Sequence, residues 1–503
     1  MKIKNRDKLT AWDVISYSLS AFGETLSGNI VSAFFMMYLT IYQGLNPIII
    51  GIMIFLSKIW DAVNDPMVAV LVNNTKSKMG KFKPWILIGT FINGFSLAAL
   101  FLPVNFSITG KYIYYTLAYI LWGMSFTCVD IPFWSMMPSL AKSTNERNTL
   151  STVSRMIGGF GGLLSGSGSA LVITYLVPNG TQNPYAYTIV GAVLAVMFLI
   201  FMLFVILFNK EKYAVPQSDL RFKDVFTVFF QNDQLRAYAF SYILLLTAIN
   251  MALYQPMYLF LYDYRHLFFG MYVIFNVAGS TIQGWLMIAY PFIAKKIDRK
   301  KIFGALYFAA IIGLVGMFFI FFVMKEIPYE QGATTMLVGW ETWTILNIVL
   351  LSIPGSFLNT ANGVGMVCST VMVADISDYH QYKTGQRLDS VMFSVQTLIT
   401  KVSQALVSLI IGFGLTVSGL PAMEQTFNEL GETINTFSGT VTEPMLLVLR
   451  GFMFLLPIPM VIIGYFIYKK HYTLTGQAFE DMKASLDYGK KSADVENLEE
   501  KKE

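Results

Sequence analysis

Two carboxylates, Asp61 and Asp65, lie one helical turn apart inside an apolar stretch that extends from about Ile48 to Val72. A run of this length and composition is typical of a helix that crosses a membrane. Side chains four residues apart project from the same face of such a helix. Because a bare carboxylate inside a bilayer is costly, the pair predicts a bound partner. A small hard cation or a shared proton would serve.

Two lysines are candidates for the charge balance of this carboxylate pair. Lys58 precedes Asp61 by three residues, so the two side chains can meet on the helix surface. Their pairing is either a structural ion pair or part of a cation site. Lys401 lies in an apolar segment near the C-terminus and needs an anionic partner there. The candidates are Asp61, Asp65 and Asp130, and such a pair would link the two halves of the chain.

A second polar group combines an acid, an indole and a guanidinium. Asp130 and Trp134 lie one helical turn apart in another apolar segment, and Arg155 lies near the start of the next. An indole can stack on the apolar face of a sugar ring while a carboxylate and a guanidinium bind its hydroxyls. The alternatives are a buried Asp130–Arg155 ion pair and an interfacial position for Trp134. The combination predicts a sugar site.

The composition places both groups in a membrane protein. The 503 residues are 55% hydrophobic and 13% charged, whereas a soluble domain carries about 25% charged residues. The apolar residues form segments long enough to span a bilayer. Twelve spans are predicted, near 13–42, 48–72, 85–104, 112–138, 150–177, 186–208, 236–262, 269–294, 302–324, 341–374, 389–419 and 446–468.

The basic residues predict the orientation of these spans. The net charge of +5 arises from lysines and arginines in short loops between the apolar segments, which argues against a nucleic-acid partner. With the N-terminus in the cytosol, the outer loops contain only Lys111, Arg265 and Lys325. Positive residues concentrate on the cytosolic side of membrane proteins. We therefore expect a multi-pass protein of the plasma (inner) membrane with both termini in the cytosol.

The spans divide into two sets of six. The predicted parts are an N-terminal six-helix bundle (1–208), a cytosolic interdomain loop (209–235), a C-terminal six-helix bundle (236–470) and a cytosolic tail (471–503). Basic loops recur at matching positions, at 76–83 after span two and at 295–301 after span eight. This pattern predicts an all-α membrane protein of the major facilitator architecture, built from two parallel repeats.

Several sequence blocks carry a more specific resemblance. They are 58–66 (KIWDAVNDP), 80–85 (GKFKPW), 119–124 (YILWGM), 130–135 (DIPFWS), 374–379 (ADISDY) and 394–397 (SVQT). Together they resemble the glycoside–pentoside–hexuronide:cation symporters, the melibiose carrier group of the major facilitator superfamily. The blocks occur in family order through both halves of the chain.

The resemblance implies roles for individual residues. Asp61, Asp65 and Thr127 match the family's cation (Na⁺) site; Asp130, Trp134 and Arg155 match its sugar-binding residues; Gln396, Thr397 and Lys401 match polar residues of the C-terminal half that face the cavity or the carboxylates. To the cation site we add Asn64, from the same block as the carboxylates. Without the resemblance, the Thr127 hydroxyl would be expected to bond to its own helix.

The first span departs from the family pattern. The family usually has an aspartate shortly after the sequence Ala-Phe-Gly, whereas here 21–23 is followed by Glu24 and Thr25, with Thr25 at the aspartate position. A hydroxyl cannot make the charge-assisted bond of a carboxylate. Glu24 is displaced by about 100° around the helix and can substitute from another angle. We therefore expect both residues near the substrate and a specificity that differs from that of galactoside carriers.

The function expected from the sequence is secondary active symport of a sugar or glycoside into the cell. The coupling ion is Na⁺, favoured over H⁺, and no other cofactor is expected. The partners are the sugar, a monovalent cation and the lipid bilayer, and the chain should work as a monomer. The alternative is a cation-coupled carrier of an amphipathic solute such as a lysolipid. An intramembrane aspartyl protease is disfavoured, because Asp61 and Asp65 share one helix and no Gly-x-Gly-Asp sequence occurs.

Overall fold

The fold follows from a computed structural model of the chain. It describes residues 9–474, apart from 142–143, 176–184, 213–221, 255, 265–267, 295, 324–339, 386–388, 422, 428–432 and 438, and it describes 479, 481–482 and 485 in the tail. Most of the predicted tail therefore lies outside the described residues, as do Arg265 and Lys325 in the predicted outer loops.

Long apolar helices make up the first half of the chain. They are α1 (Ala11–Ile30), α2 (Pro47–Asn74), α3 (Lys83–Leu100), α4 (Ile108–Leu140), α5 (Thr144–Leu163), α6 (Ser169–Tyr175) and α7 (Tyr185–Phe208). Several begin with the expected start signals. Thr10 and Asp13 form a capping box at α1, and Asn46 followed by Pro47 begins α2.

The second half contains nine helices and one hairpin in its described part. They are α8 (Phe222–Gln231), α9 (Asp233–Tyr254), α10 (Pro256–Tyr264), α11 (Phe268–Ala294), α12 (Arg299–Val323), α13 (Trp340–Thr384), α14 (Asp389–Ser418), β1 (Met423–Phe427), β2 (Thr433–Phe437), α15 (Glu443–Arg450) and α16 (Pro457–His471). Helix α8 lies within the predicted interdomain loop, so that connection is partly helical.

The predicted spans correspond to observed helices. Among the described residues, ten helices are long and apolar enough to cross a membrane. Two further helical stretches, α1 with its extension to Tyr42 and α11, lie where spans one and eight are predicted. The helical fold class with twelve spans is therefore confirmed.

Several spans are locally irregular. Wider π-helical turns at Val31–Phe35 and Tyr38–Tyr42 continue α1, and another at Gly451–Leu455 joins α15 to α16. Pro132 and Pro138 lie inside α4. Proline removes a helical hydrogen bond, and Pro132 lies between Asp130 and Trp134.

One element was not predicted. Strands β1 and β2 pair antiparallel, with Met423 opposite Phe437 and Phe427 opposite Thr433. The hairpin lies between predicted spans eleven (389–419) and twelve (446–468). The hairpin lies outside the spans, so the helical fold class stands with one short β-hairpin added to it.

The chain forms two compact units. The first comprises Met1–Ser218, Tyr254–Val277 and Gln404–Met453, and the second comprises Asp219–Leu253, Ala278–Ser403 and Phe454–Glu503. These units group residues by their contacts. The division into bundles at 209–235 stays a prediction based on span count and loop charge.

Two charged residues that follow α7, Glu211 and Lys212, contact the starts of α3 and α1. Both Glu211 carboxylate oxygens accept backbone N–H groups at the start of α3, from Lys81 and Phe82, each at 2.9 Å. Lys212 pairs with Asp13 of α1 at 2.7 Å. The first residues after α7 therefore tie the start of α1 to the start of α3.

Candidate functional site

The carboxylate pair of α2 lies in a buried polar pocket within the first unit. Asp61 is only 4% exposed, and Asp65 is half-buried. The Lys58 ammonium lies 3.6 Å from an Asp61 carboxylate oxygen, as the spacing of three residues predicted. The same ammonium lies 5.5 Å from the centre of the Trp122 ring and 5.9 Å from that of Tyr119. The lysine is thus held by one carboxylate and two ring faces.

Helix α4 completes the pocket. The Thr127 hydroxyl donates to an Asp65 carboxylate oxygen at 3.1 Å, so it bonds across helices rather than to its own backbone. Asn64 is 4% exposed, and its side-chain nitrogen has no hydrogen-bond partner among the described residues. A buried amide with an unpaired end is costly. Rotated by half a turn, that amide presents its oxygen, which a bound cation would satisfy.

Gly123 of α4 lies against Asp61, and the sequence analysis did not single it out. A Cβ atom on Gly123 would lie 2.7 Å from one Asp61 carboxylate oxygen and 3.3 Å from the other. Only a glycine allows the carboxylate to approach α4 this closely. The sequence signal was present, because Gly123 belongs to the block 119–124, but a residue without a side chain suggests no chemistry.

The side chains around the α2 carboxylates could hold a hard cation. Asp61, Asp65, Asn64 and Thr127 supply oxygen donors, which are the ligands of hard cations. No group of three or more His, Cys, Asp or Glu side chains converges on one point among the described residues.

The predicted sugar-binding group also assembles. The Arg155 guanidinium of α5 lies over the Trp134 ring of α4, 5.0 Å from the ring centre. Glu24 of α1 is 7% exposed, and the charges of Asp130 and Arg155 both act on it. Three helices thus bring an indole, a guanidinium and two acids together.

Tyr17 supports the aromatic side of this group. Its ring stacks on Phe133 with a centroid distance of 4.4 Å, and its hydroxyl donates to the Phe133 carbonyl at 2.7 Å. Phe133 in turn meets Trp134 edge to face at 5.2 Å. Helix α1 therefore holds the stretch of α4 that carries the predicted sugar-stacking indole.

Thr25 has a packing contact. Its hydroxyl donates to the Gly158 carbonyl of α5 at 2.7 Å. Its side chain also occupies the space that a Cβ atom on Gly161 would need. Helices α1 and α5 approach closely at these glycines. The acid of the first span on which the charges of Asp130 and Arg155 act is Glu24. A substrate role for Thr25 stays a prediction.

The polar residues predicted from the C-terminal half lie in the second unit. Gln396 of α14 donates to the hydroxyls of Ser369 and Thr370 on α13, at 2.8 and 3.3 Å. Thr397 is exposed, and Lys401 is half-buried. The sequence analysis missed the two hydroxyls of α13, because serine and threonine are common in membrane helices. The pairing of Lys401 with a carboxylate of the first unit stays a prediction.

A single face of α4 connects the two groups. Positions 123, 127, 130 and 134 are spaced by four, three and four residues, so they follow one stripe along the helix. Gly123 and Thr127 border the α2 carboxylates, whereas Asp130 and Trp134 border α1 and α5.

Residues 16–475 match the family described as MFS/sugar transport protein. The chain belongs to this family of transporters.

Relatives of known name agree with this membership. The chain is 25% identical over 464 residues to the lactose permease of Lactobacillus helveticus, which covers 86% of this chain and 67% of the permease. It is 22% identical over 500 residues to the inner membrane symporter YicJ of Escherichia coli (strain K12), which covers 96% of each chain. These names fit the cation-symporter resemblance that the sequence blocks predicted.

A solved structure agrees with the fold. The chain superposes on the crystal structure of a D-xylose-proton symporter with a TM-score of 0.61, which covers 92% of this chain and 97% of the other. The sequences are 15% identical, so this similarity concerns the fold alone.

Proposed function

We propose that this protein is a secondary active symporter that carries a sugar or glycoside into the cell together with Na⁺, or alternatively H⁺. The observation that carries the proposal is the shared face of α4. Thr127 bonds the carboxylate pocket, and Asp130, three residues further along, belongs to the acid, guanidinium and indole group. The lactose permease and symporter names of its relatives support a sugar and a coupling ion.

The shared helix gives a physical route for coupling. A cation that draws Asp65, Asn64 and Thr127 together fixes the rotation of α4. That rotation places Asp130 and Trp134 against Arg155. Each ligand then raises the affinity for the other by the same factor, because linkage between two binding sites is reciprocal. When the cation and the sugar are both bound, the site is filled and its charge is neutralised. This favours the conformational change that moves access from one side of the membrane to the other.

We propose a plasma-membrane location with both termini in the cytosol and a monomer as the working unit. The support is the concentration of basic residues in the predicted cytosolic loops. No cofactor other than the coupling ion is required by the residues of the pocket. A cysteine placed in the described outer loop beside Lys111 should react with an impermeant maleimide on intact cells.

The test of function is counterflow in proteoliposomes. Purified protein is reconstituted and loaded with unlabelled sugar, and the entry of labelled lactose, xyloside and glucuronide is measured with and without Na⁺. We expect exchange of at least one sugar, stimulated by the coupling ion. Exchange of a labelled lysolipid with no sugar exchange would replace this proposal with the amphipathic-solute alternative.

A further inference from the structure

The Trp122 ring of α4 is fixed by a closed loop of hydrogen bonds with α1 and α3. An indole N–H only donates, and this one donates to the Ser27 hydroxyl at 3.0 Å. That hydroxyl donates in turn to the Asn93 side-chain oxygen at 2.7 Å, and the Asn93 amide nitrogen donates to the Trp122 carbonyl at 3.0 Å. Ser27 and Asn93 are fully buried. The loop therefore holds both the backbone and the ring of Trp122.

Aromatic neighbours add to this support. Phe126 stacks on Trp122 with the ring centres 5.5 Å apart, and the Tyr119 ring lies at the same distance in a tilted arrangement. Tyr119 itself stacks on Phe35 at 5.1 Å. The two rings that face the Lys58 ammonium are thus both packed against further aromatic side chains.

The Lys58 ammonium stands back from Asp61. A direct hydrogen bond between an ammonium and a carboxylate oxygen is about 2.7–2.9 Å long. Here the nitrogen–oxygen distance is 3.6 Å, and the ammonium also lies 5.5 Å from the centre of the Trp122 ring and 5.9 Å from that of Tyr119. Only 13% of the lysine side chain is exposed, so little water weakens the attraction of the ring faces. The ammonium is therefore shared between the carboxylate and the two rings.

We propose that Trp122 is a positioning residue that sets the Na⁺ affinity of the α2 pocket by holding the Lys58 ammonium out of direct contact with Asp61. With the ring in place, Na⁺ competes for Asp61 with a loosely bound ammonium. Without the ring, the ammonium closes on the carboxylate and makes a direct bond that Na⁺ must displace. This inference rests on the proposed function only in taking the α2 pocket as an Na⁺ site, and not on the sugar.

The test is a double-mutant cycle on Na⁺ binding, measured by isothermal titration calorimetry on the purified full-length protein without any sugar. Trp122→Leu should lower Na⁺ affinity by about tenfold, as the loss of a desolvated cation–ring contact implies. In the Lys58→Gln background that ammonium is gone, so adding Trp122→Leu should change Na⁺ affinity by less than about twofold. Trp285→Leu on α11 is the matched control, because that side chain is 70% exposed, and it should bind Na⁺ as the wild type does.

Three outcomes overturn the inference: no Na⁺ binding by the wild type, wild-type Na⁺ affinity in Trp122→Leu, and an equal loss with and without Lys58. The last would mean that the ring acts by packing alone. If either variant does not fold, Trp122→Phe and Lys58→Met complete the same cycle, with a smaller loss that still depends on Lys58. A loss that depends on Lys58, together with no counterflow of any sugar, would sustain the role of Trp122 and reject the sugar-transport proposal.

Discussion

At the residue scale, the contacts around Asp61 show which parts of the site the sequence could predict. The Lys58–Asp61 pair followed from spacing alone, since residues three apart meet on a helix. The bond from Thr127 to Asp65 joins residues 62 positions apart, and no spacing rule predicts it. There the resemblance supplied the pairing. Neither spacing nor the resemblance predicted a role for Gly123, because this glycine acts by leaving space for a carboxylate.

Gly123→Ala should weaken the cation response. Its new Cβ would fall 2.7 Å from the Asp61 carboxylate, so the carboxylate or α4 must shift. We expect about a tenfold loss in Na⁺ affinity, which corresponds to about 1.4 kcal/mol. The measurement is the Na⁺ dependence of the melting temperature. Gly159→Ala is the control, since a Cβ there meets nothing within 4 Å. Equal Na⁺ curves for both variants would remove Gly123 from the pocket.

Arg155→Lys should weaken sugar binding by about tenfold or more, because an ammonium reproduces neither the planar fork nor the stacking over Trp134. Sugar affinity measured by isothermal calorimetry, on protein whose melting temperature is unchanged, is the appropriate test. Near-normal affinity in such a protein would take Arg155 out of the site.

Thr25→Val separates packing from substrate recognition. The change removes the hydroxyl from the Gly158 carbonyl and keeps the shape of the side chain. A packing role predicts a loss of stability of about 1 kcal/mol with an unchanged ranking of sugars in competition. A changed ranking at unchanged stability would mean that Thr25 reads the substrate, as the family position suggested.

At the scale of elements, the helices were predictable and their irregularities were not. Runs of about twenty apolar residues give spans such as α7 directly, because a bilayer demands helices of that length. The π-helical turns after Ile30 and the hairpin of β1 and β2 are changes of backbone hydrogen bonding rather than of apolar content. Hydropathy carries no information about either.

Helices α2 and α14 cross within the first unit at two glycines. A Cβ on Gly412 would lie 2.5 Å from the Pro47 carbonyl oxygen, and one on Gly51 would lie 2.7 Å from the Ser408 carbonyl oxygen. Gly412→Ala should therefore force the helices apart and lower stability by about 1–3 kcal/mol. Thermal unfolding in detergent measures this, with Gly284→Ala, which meets nothing within 4 Å, as control. Equal melting temperatures would show that the crossing relaxes without cost.

At the scale of the whole molecule, the proposed symport depends on coupling between two groups of residues that share α4. Taken separately, neither the cation pocket nor the group of acid, guanidinium and indole requires a transport function. Buried ion pairs also occur as purely structural devices. The coupling proposal makes a prediction that a purely structural role does not make. A substitution at Asp65 should alter the affinity for sugar, because Thr127 and Asp130 share one face of α4.

The most direct test is sugar affinity as a function of Na⁺ concentration at fixed pH, for wild type and Asp65→Asn, with the sugar that counterflow identifies. We predict that Na⁺ raises wild-type affinity, and that Asp65→Asn loses this rise while binding sugar at high concentration. Wild-type affinity that ignores Na⁺ but depends on Asp65 and pH would assign H⁺ as the coupling ion. An Asp65→Asn protein with a wild-type cation response would contradict the assignment of the α2 carboxylates as the coupling site.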